Sequence, residues 1–182
     1  MKRNIVILVL GSCCLFNSCY ELDLNPLSQG SSENWYSSET EIEMALKDGY
    51  RQDFWPKDKE EWTDDYVYRE TNSAIVNGTL NGQTDEVTKM WSNQYKAIAR
   101  ANTVLANMEK AQSLGISQSK IDQYTAEAYF LRASMYSTLI SHFGDVVYVT
   151  EVMDVDQAFE VGRTAKAEII PKVYEDFDKA AA

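Results

Sequence analysis

Histidine is nearly missing from this 182-residue chain: His142 stands alone, and the three cysteines all fall within the first 19 positions. Zinc sites need clusters of His and Cys, and a Ser-His-Asp triad needs an imidazole, so only arrangements built on His142 survive. Positive charge is scarce too. The 17 Lys and Arg face 28 Asp and Glu, a net charge of −11. Such a chain has no footprint for a phosphate backbone or an anionic lipid surface, which puts nucleic-acid binding last among the functions to consider. With 3 prolines and 8 glycines the chain is not collagen-like, and 45% hydrophobic with 25% charged residues is ordinary for one globular domain. Long apolar runs are also lacking. The stretch from Ile5 to Phe16, interrupted by Gly11 to Cys14, is shorter than the roughly 20 residues a transmembrane helix needs.

What is present begins with an address. Lys2 and Arg3 precede the apolar Ile5 to Leu10, and small or polar residues follow up to Cys19, the layout of a secretory signal peptide over residues 1–18. A bacterial lipoprotein signal ends in a cysteine that is acylated and becomes the new N-terminus. Leu10-Gly11-Ser12-Cys13 has the better local match, but Phe16-Asn17-Ser18-Cys19 lies closer to the point where the composition turns polar, so Cys19 is the preferred attachment site. No cysteine after position 19 offers it a disulfide partner. More than one acyl chain makes such an anchor stable, because a single chain holds only marginally.

Beyond the signal the apolar spacing is helical almost throughout. Ile42, Ala45, Leu46, Gly49 and Tyr50 share one face, with Ser38 and Glu41 placed as a capping box, which predicts a helix over about 39–51. Gln52 to Thr84 has no period; it carries Phe54, Trp55, Trp62, Tyr66 and Tyr68 among acidic residues, then Asn77-Gly78 and Asn81-Gly82 as tight turns. It reads as a long structured loop with room for a small hairpin. Val87, Trp91, Tyr95 or Gln94, Ile98, Asn102, Leu105 and Met108 step by three and four, predicting one helix over 85–111 that Gly115 ends, with Asn102 as a buried amide tied to loop backbone. Ile121, Tyr124, Ala128, Leu131, Met135, Leu139 and Phe143 give a second helix, capped by Ser117 or Ser119 and stopped at Gly144. Val146 to Val149 are β-branched or aromatic and read as extended. Ile169, Ile170, Val173, Phe177 and Ala180 form a last amphipathic face that Pro171 should kink or delay. The expected fold is all-α, built of antiparallel tetratricopeptide-like hairpins. The helical pattern still runs at Ala180-Ala181-Ala182, as in a piece of a longer repeat architecture.

These residues resemble a known family. Cys19 followed by Leu22-Asp23-Leu24-Asn25-Pro26 is similar to the start of a mature SusD/RagB-type outer-membrane lipoprotein. Tyr36 to Tyr50 and the Trp91, Tyr95, Ile98, Ala101-Asn102 pattern are similar to its first two helices. The most specific stretch is Ala126-Glu127-Ala128-Tyr129-Phe130-Leu131-Arg132-Ala133 with Phe143-Gly144-Asp145-Val146, and Arg163-Thr164 with Asp176-Phe177 and Ala180 follows in family order. Val147 stands where the family usually has proline, and Pro171 where it has a helix interior. The resemblance implies a SusD-like N-terminal helical domain over 19–182. It also implies capture of oligosaccharides for a SusC-like TonB-dependent transporter, an outer-membrane location through the lipid anchor, no cofactor and no enzymatic cleavage.

Candidate glycan contacts are Trp62, Asp64, Asp65, Tyr66, Tyr68 and Arg69 in the polar loop, since sugar faces pack on aromatic rings while hydroxyls pair with charged groups. Asp64 and Asp65 do not make a glycosidase pair, because sequence neighbours point apart. His142, near a helix C-terminus, is expected to serve the helix dipole or to fill surface. A tetratricopeptide-type scaffold that binds protein on its concave face is the competing function.

Overall fold

In the computed structural model the described residues are 35–55, 63 and 74–182. All contacts given below lie within the compact unit Tyr36–Ala182. The elements, in order, are α1 Glu39–Gly49, a short 3-10 turn Gln52–Phe54, α2 Asp85–Ala106, α3 Met108–Ser113, α4 Gln118–Phe143, α5 Val155–Glu160 and α6 Lys166–Ala181. Among the described residues the one β-type pairing is an isolated antiparallel bridge between Val146 and Thr164. The all-α expectation holds.

α4 is the central helix, packed between α2 and α6, with α1 against both α2 and α4. Its apolar face supplies Ala133, Met135, Tyr136, Leu139 and Ile140, which bury against Phe54, Ala97, Ile98, Val146, Ile169 and Val173. Trp91 and Tyr95 are half-buried against this core, so the stripe read from the sequence faces inward. Gly49 lies where α1 meets α4: a Cβ there would sit 2.6 Å from Leu131 Cδ1.

Local chemistry explains the helix ends, and in four places it departs from the expected pattern. Ser38 Oγ accepts the Glu41 N–H at 3.4 Å, but the Glu41 carboxylate reaches one residue further back, accepting from Ser37 N at 2.7 Å and Ser37 Oγ at 2.9 Å. The capping box is therefore shifted, and the backbone N–H of Ser37, followed by its hydroxyl, holds the Glu41 pKa below its usual value. The single helix expected over 85–111 breaks at Asn107, whose side-chain Nδ2 donates to Thr103 O at 2.8 Å and whose backbone leaves the helix at φ −102 and ψ 6. Amide side chains compete with backbone partners in this way. Asn77-Gly78 closes a helical turn rather than a hairpin: Thr79 N bonds Ala74 O at 2.9 Å and Gly78 N bonds Ile75 O at 3.2 Å, with Gly78 at φ 66.

α4 stops as expected. Gly144 has φ 70 and ψ −116, a conformation that a Cβ disfavours. α6, by contrast, starts ahead of Pro171, which lies inside the helix. Its first N–H, from Lys166, is capped by Asp145 Oδ1 at 2.9 Å across the fold, so a side chain distant in sequence fixes the start that Pro171 would otherwise delay.

Candidate functional site

The segment that follows α4 is held by three side chains from two helices. Tyr95 of α2 donates its hydroxyl to Val147 O at 2.8 Å. Tyr136 of α4 donates to Val149 O at 2.8 Å and accepts from Val149 N at 2.6 Å. Asn102 of α2 donates to Val149 O and Glu151 O, each at 3.2 Å, which is the loop-tethering role its place in an apolar stripe predicts. Burial pushes the Tyr95 pKa up to about 12 and raises that of Tyr136 as well, so both phenols stay protonated donors.

Beneath this segment lies a buried ion pair. Arg132 of α4 donates Nε to Asp176 Oδ2 at 2.7 Å and Nη2 to Oδ1 at 2.9 Å, a bidentate fork. Its Nη1 donates to Asn102 Oδ1 at 3.0 Å and Thr150 O at 3.1 Å. The two side chains are 6% and 4% exposed. Burial alone would lower the Arg132 pKa, but the Asp176 contacts outweigh it and the net direction is up. Both residues lie within the family-like strings, where the resemblance implies no role for either. The available signal was a charge of opposite sign on each of two apolar helix faces: Arg132 is in register with Ala128 and Met135, and Asp176 with Ile169 and Val173.

A second fastening sits at the start of the segment. Arg163 Nη1 donates to Asp145 O at 3.0 Å, and the Val146 and Thr164 backbones exchange bonds of 3.2 and 2.8 Å. Asp145 caps α6 from the same place. The Gly144-Asp145-Val146 and Arg163-Thr164 strings are thus two halves of one clasp. The segment and α5 line an open cleft of about 430 Å³ that includes Tyr148, Glu151, Met153, Gln157 and Glu160. Two further hollows meet at Val87 and Phe143. One, about 340 Å³, is lined by Gly82, Thr88, Trp91 and Arg163; the other, about 330 Å³, by Ile75, Leu80, Met90 and His142 among others.

His142 Nδ1 faces Thr138 O at 2.8 Å and Ser141 Oγ at 3.1 Å, so the ring is engaged by its own helix. The glycan candidates Trp62, Asp64, Asp65, Tyr66, Tyr68 and Arg69, the preferred attachment residue Cys19 and its alternative Cys13 lie outside the described residues. Among the described residues no group of three or more His, Cys, Asp or Glu could hold a metal ion, and no helix is long and apolar enough to cross a membrane.

Residues 23–182 match the SusD-like_3 family, described as starch-binding associating with outer membrane. SusD-like protein P2 of Formosa agariphila is 23% identical over 176 residues, covering 89% of this chain and 34% of that protein. A SusD-like carbohydrate-binding protein from Bacteroides fragilis superposes with a TM-score of 0.61 at 25% identity, over 80% of this chain and 31% of that one. A laminarin-binding SusD-like protein superposes with a TM-score of 0.52 at 26% identity, over 59% of this chain and 22% of that one. The chain thus spans about a third or less of the length of these relatives. Because the match runs through nearly the whole sequence and takes in the helices, the ion pair and the clasp alike, the chain belongs to the SusD-like family.

Proposed function

We propose that the protein is a lipid-anchored, carbohydrate-binding component of the outer membrane that captures oligosaccharides and hands them uncut to a SusC-like TonB-dependent transporter. The observation that carries this reading is the family match over residues 23–182, joined by solved relatives named for carbohydrate and laminarin binding. Cys19 is the acylated residue after removal of 1–18, and the acidic residues Glu21 and Asp23 behind it suit an exported, surface-facing lipoprotein. Trp62, Tyr66 and Tyr68 supply ring faces for the sugar, while Asp64, Asp65 and Arg69 pair with its hydroxyls. The scaffold described above contributes rigidity, which keeps a binding loop from losing affinity to its own ordering.

Titration of the full-length protein with soluble polysaccharides tests the reading. Saturable binding is expected without release of new reducing ends, and Trp62→Ala should weaken it by about 1 kcal/mol or more, as removal of a stacked anchor does. Release of reducing ends by pure protein would contradict the uncut hand-over. Metabolic labelling with a radioactive fatty acid should mark the protein and fail to mark Cys19→Ala.

A further inference from the structure

Arg163 is placed unlike the other arginines of the described residues. Arg51 pairs with Asp48 and Asp53, Arg100 with Asp48, and Arg132 with Asp176, whereas Arg163 has no carboxylate within 4.0 Å among the described residues. It is exposed, yet it is held on two sides: its guanidinium lies 5.4 Å from the centroid of the Trp91 ring, and Nη1 donates to Asp145 O at 3.0 Å. A guanidinium has five N–H donors in a rigid fork, so most remain for a partner. An orienting ring and carbonyl, with no paired carboxylate among the described residues, make a preorganised anion receptor.

The receptor borders the hollow of about 340 Å³ whose other walls are Gly82, Val87, Thr88, Trp91 and Phe143. That volume lies within the range of small-ligand sites, and apolar walls with one directional charge suit a ring that is hydrophobic on its faces and anionic at one substituent. Trp91 is itself braced by Phe143 at 5.1 Å and Tyr95 at 5.0 Å, so the platform beneath the guanidinium is fixed before any ligand arrives. Glu86 lines the neighbouring hollow, and Asp145, whose carbonyl holds Arg163, accepts the Lys166 N–H on its carboxylate at 2.9 Å.

We propose that this hollow is a subsite for a sugar residue carrying a carboxylate or sulfate group, with Arg163 pairing the anion through its free N–H fork. The assignment rests on the carbohydrate-binding reading and adds the ligand class: an anionic glycan. Carboxylate and sulfate present the same pair of acceptor oxygens to a guanidinium.

The test is calorimetric titration of the full-length protein with three probes: an oligogalacturonate, a sulfated galactan oligosaccharide and a neutral laminari-oligosaccharide. One or both anionic probes should bind at least about tenfold more tightly than the neutral one, with affinity falling as salt rises. Arg163→Gln should cost the preferred anionic probe about tenfold and leave the neutral one within twofold, and Arg163→Lys should restore part of the loss. Val87→Glu, which leaves Arg163 and its clasp in place, should reproduce the loss by setting a like charge in the hollow. Preference for the neutral probe, or anionic binding indifferent to both Arg163→Gln and Val87→Glu, overturns the subsite while leaving carbohydrate binding intact. Binding of none of the three, together with failure on a wide panel of neutral polysaccharides, overturns both.

Discussion

Replacing Asp176 by asparagine keeps the shape of the side chain and removes its charge, which isolates what the buried fork with Arg132 contributes. Arg132 is 6% exposed and cannot be deprotonated or rehydrated in place, so after Asp176→Asn its cation keeps only neutral acceptors: Asn102 Oδ1, Thr150 O and the one remaining oxygen of the new asparagine. The asparagine keeps one acceptor oxygen for the fork, but its NH2 turns donors toward the guanidinium where the other acceptor stood. Breaking one partner of a buried pair costs about 3–5 kcal/mol, because the survivor stays desolvated and unpaired. Arg132→Met leaves the buried Asp176 carboxylate with Lys179 Nζ 3.9 Å away as its remaining cation, and should cost about 3 kcal/mol, the lower end of that range. The pair Arg132→Met with Asp176→Leu removes both charges but strands Asn102 Oδ1 and Thr150 O, at about 1–3 kcal/mol each. Its total, about 2–6 kcal/mol, should fall short of the sum of the two single changes, about 6–8 kcal/mol. Urea unfolding followed by far-ultraviolet circular dichroism reads all three variants. Asp176→Asn within about 1 kcal/mol of the parent would refute the reasoning, since no buried unpaired cation could be that cheap.

Gly49→Ala sets the helix preference of alanine, under about 1 kcal/mol at a helix end, against a Cβ 2.6 Å from a core leucine. Overpacking costs about 1–3 kcal/mol, so the variant should be less stable by about 1–2 kcal/mol in the same unfolding assay. Gly144→Ala forces a Cβ onto φ 70 and ψ −116 and should cost about 1–3 kcal/mol, seen as a lowered melting temperature. The Tyr95 pKa is raised from 10.0 to about 12, so its stabilising share is complete below pH 10 and lost as pH rises through about 12. An alkaline titration should show phenolate absorbance and loss of helix rising together in that window, and Tyr95→Phe should uncouple part of the change.

The helices were legible where apolar residues recur without interruption, and Asn102 was legible because a lone amide in such a stripe must find a partner. Arg132 and Asp176 were harder, since a charged residue inside a helical run reads as its solvated face until the opposing helix is known. The break at Asn107 turns on a single side chain choosing Thr103 O, a competition that periodicity does not register. Asp145 reaching Lys166 and Arg163 resting on Trp91 join residues far apart in sequence, so only the folded chain brings them together. The loop carrying Trp62, Asp64, Asp65, Tyr66, Tyr68 and Arg69 was marked by composition alone. Aromatic and acidic content suggests sugar recognition chemically, but it does not say which rings face outward.

Calorimetric titration of the full-length protein against a broad panel of soluble polysaccharides, with reducing ends assayed in the same samples, tests the central claim most directly. The account predicts saturable binding to at least one polysaccharide, weakened by Trp62→Ala, with no new reducing ends. Binding to none of the panel by folded protein would contradict it.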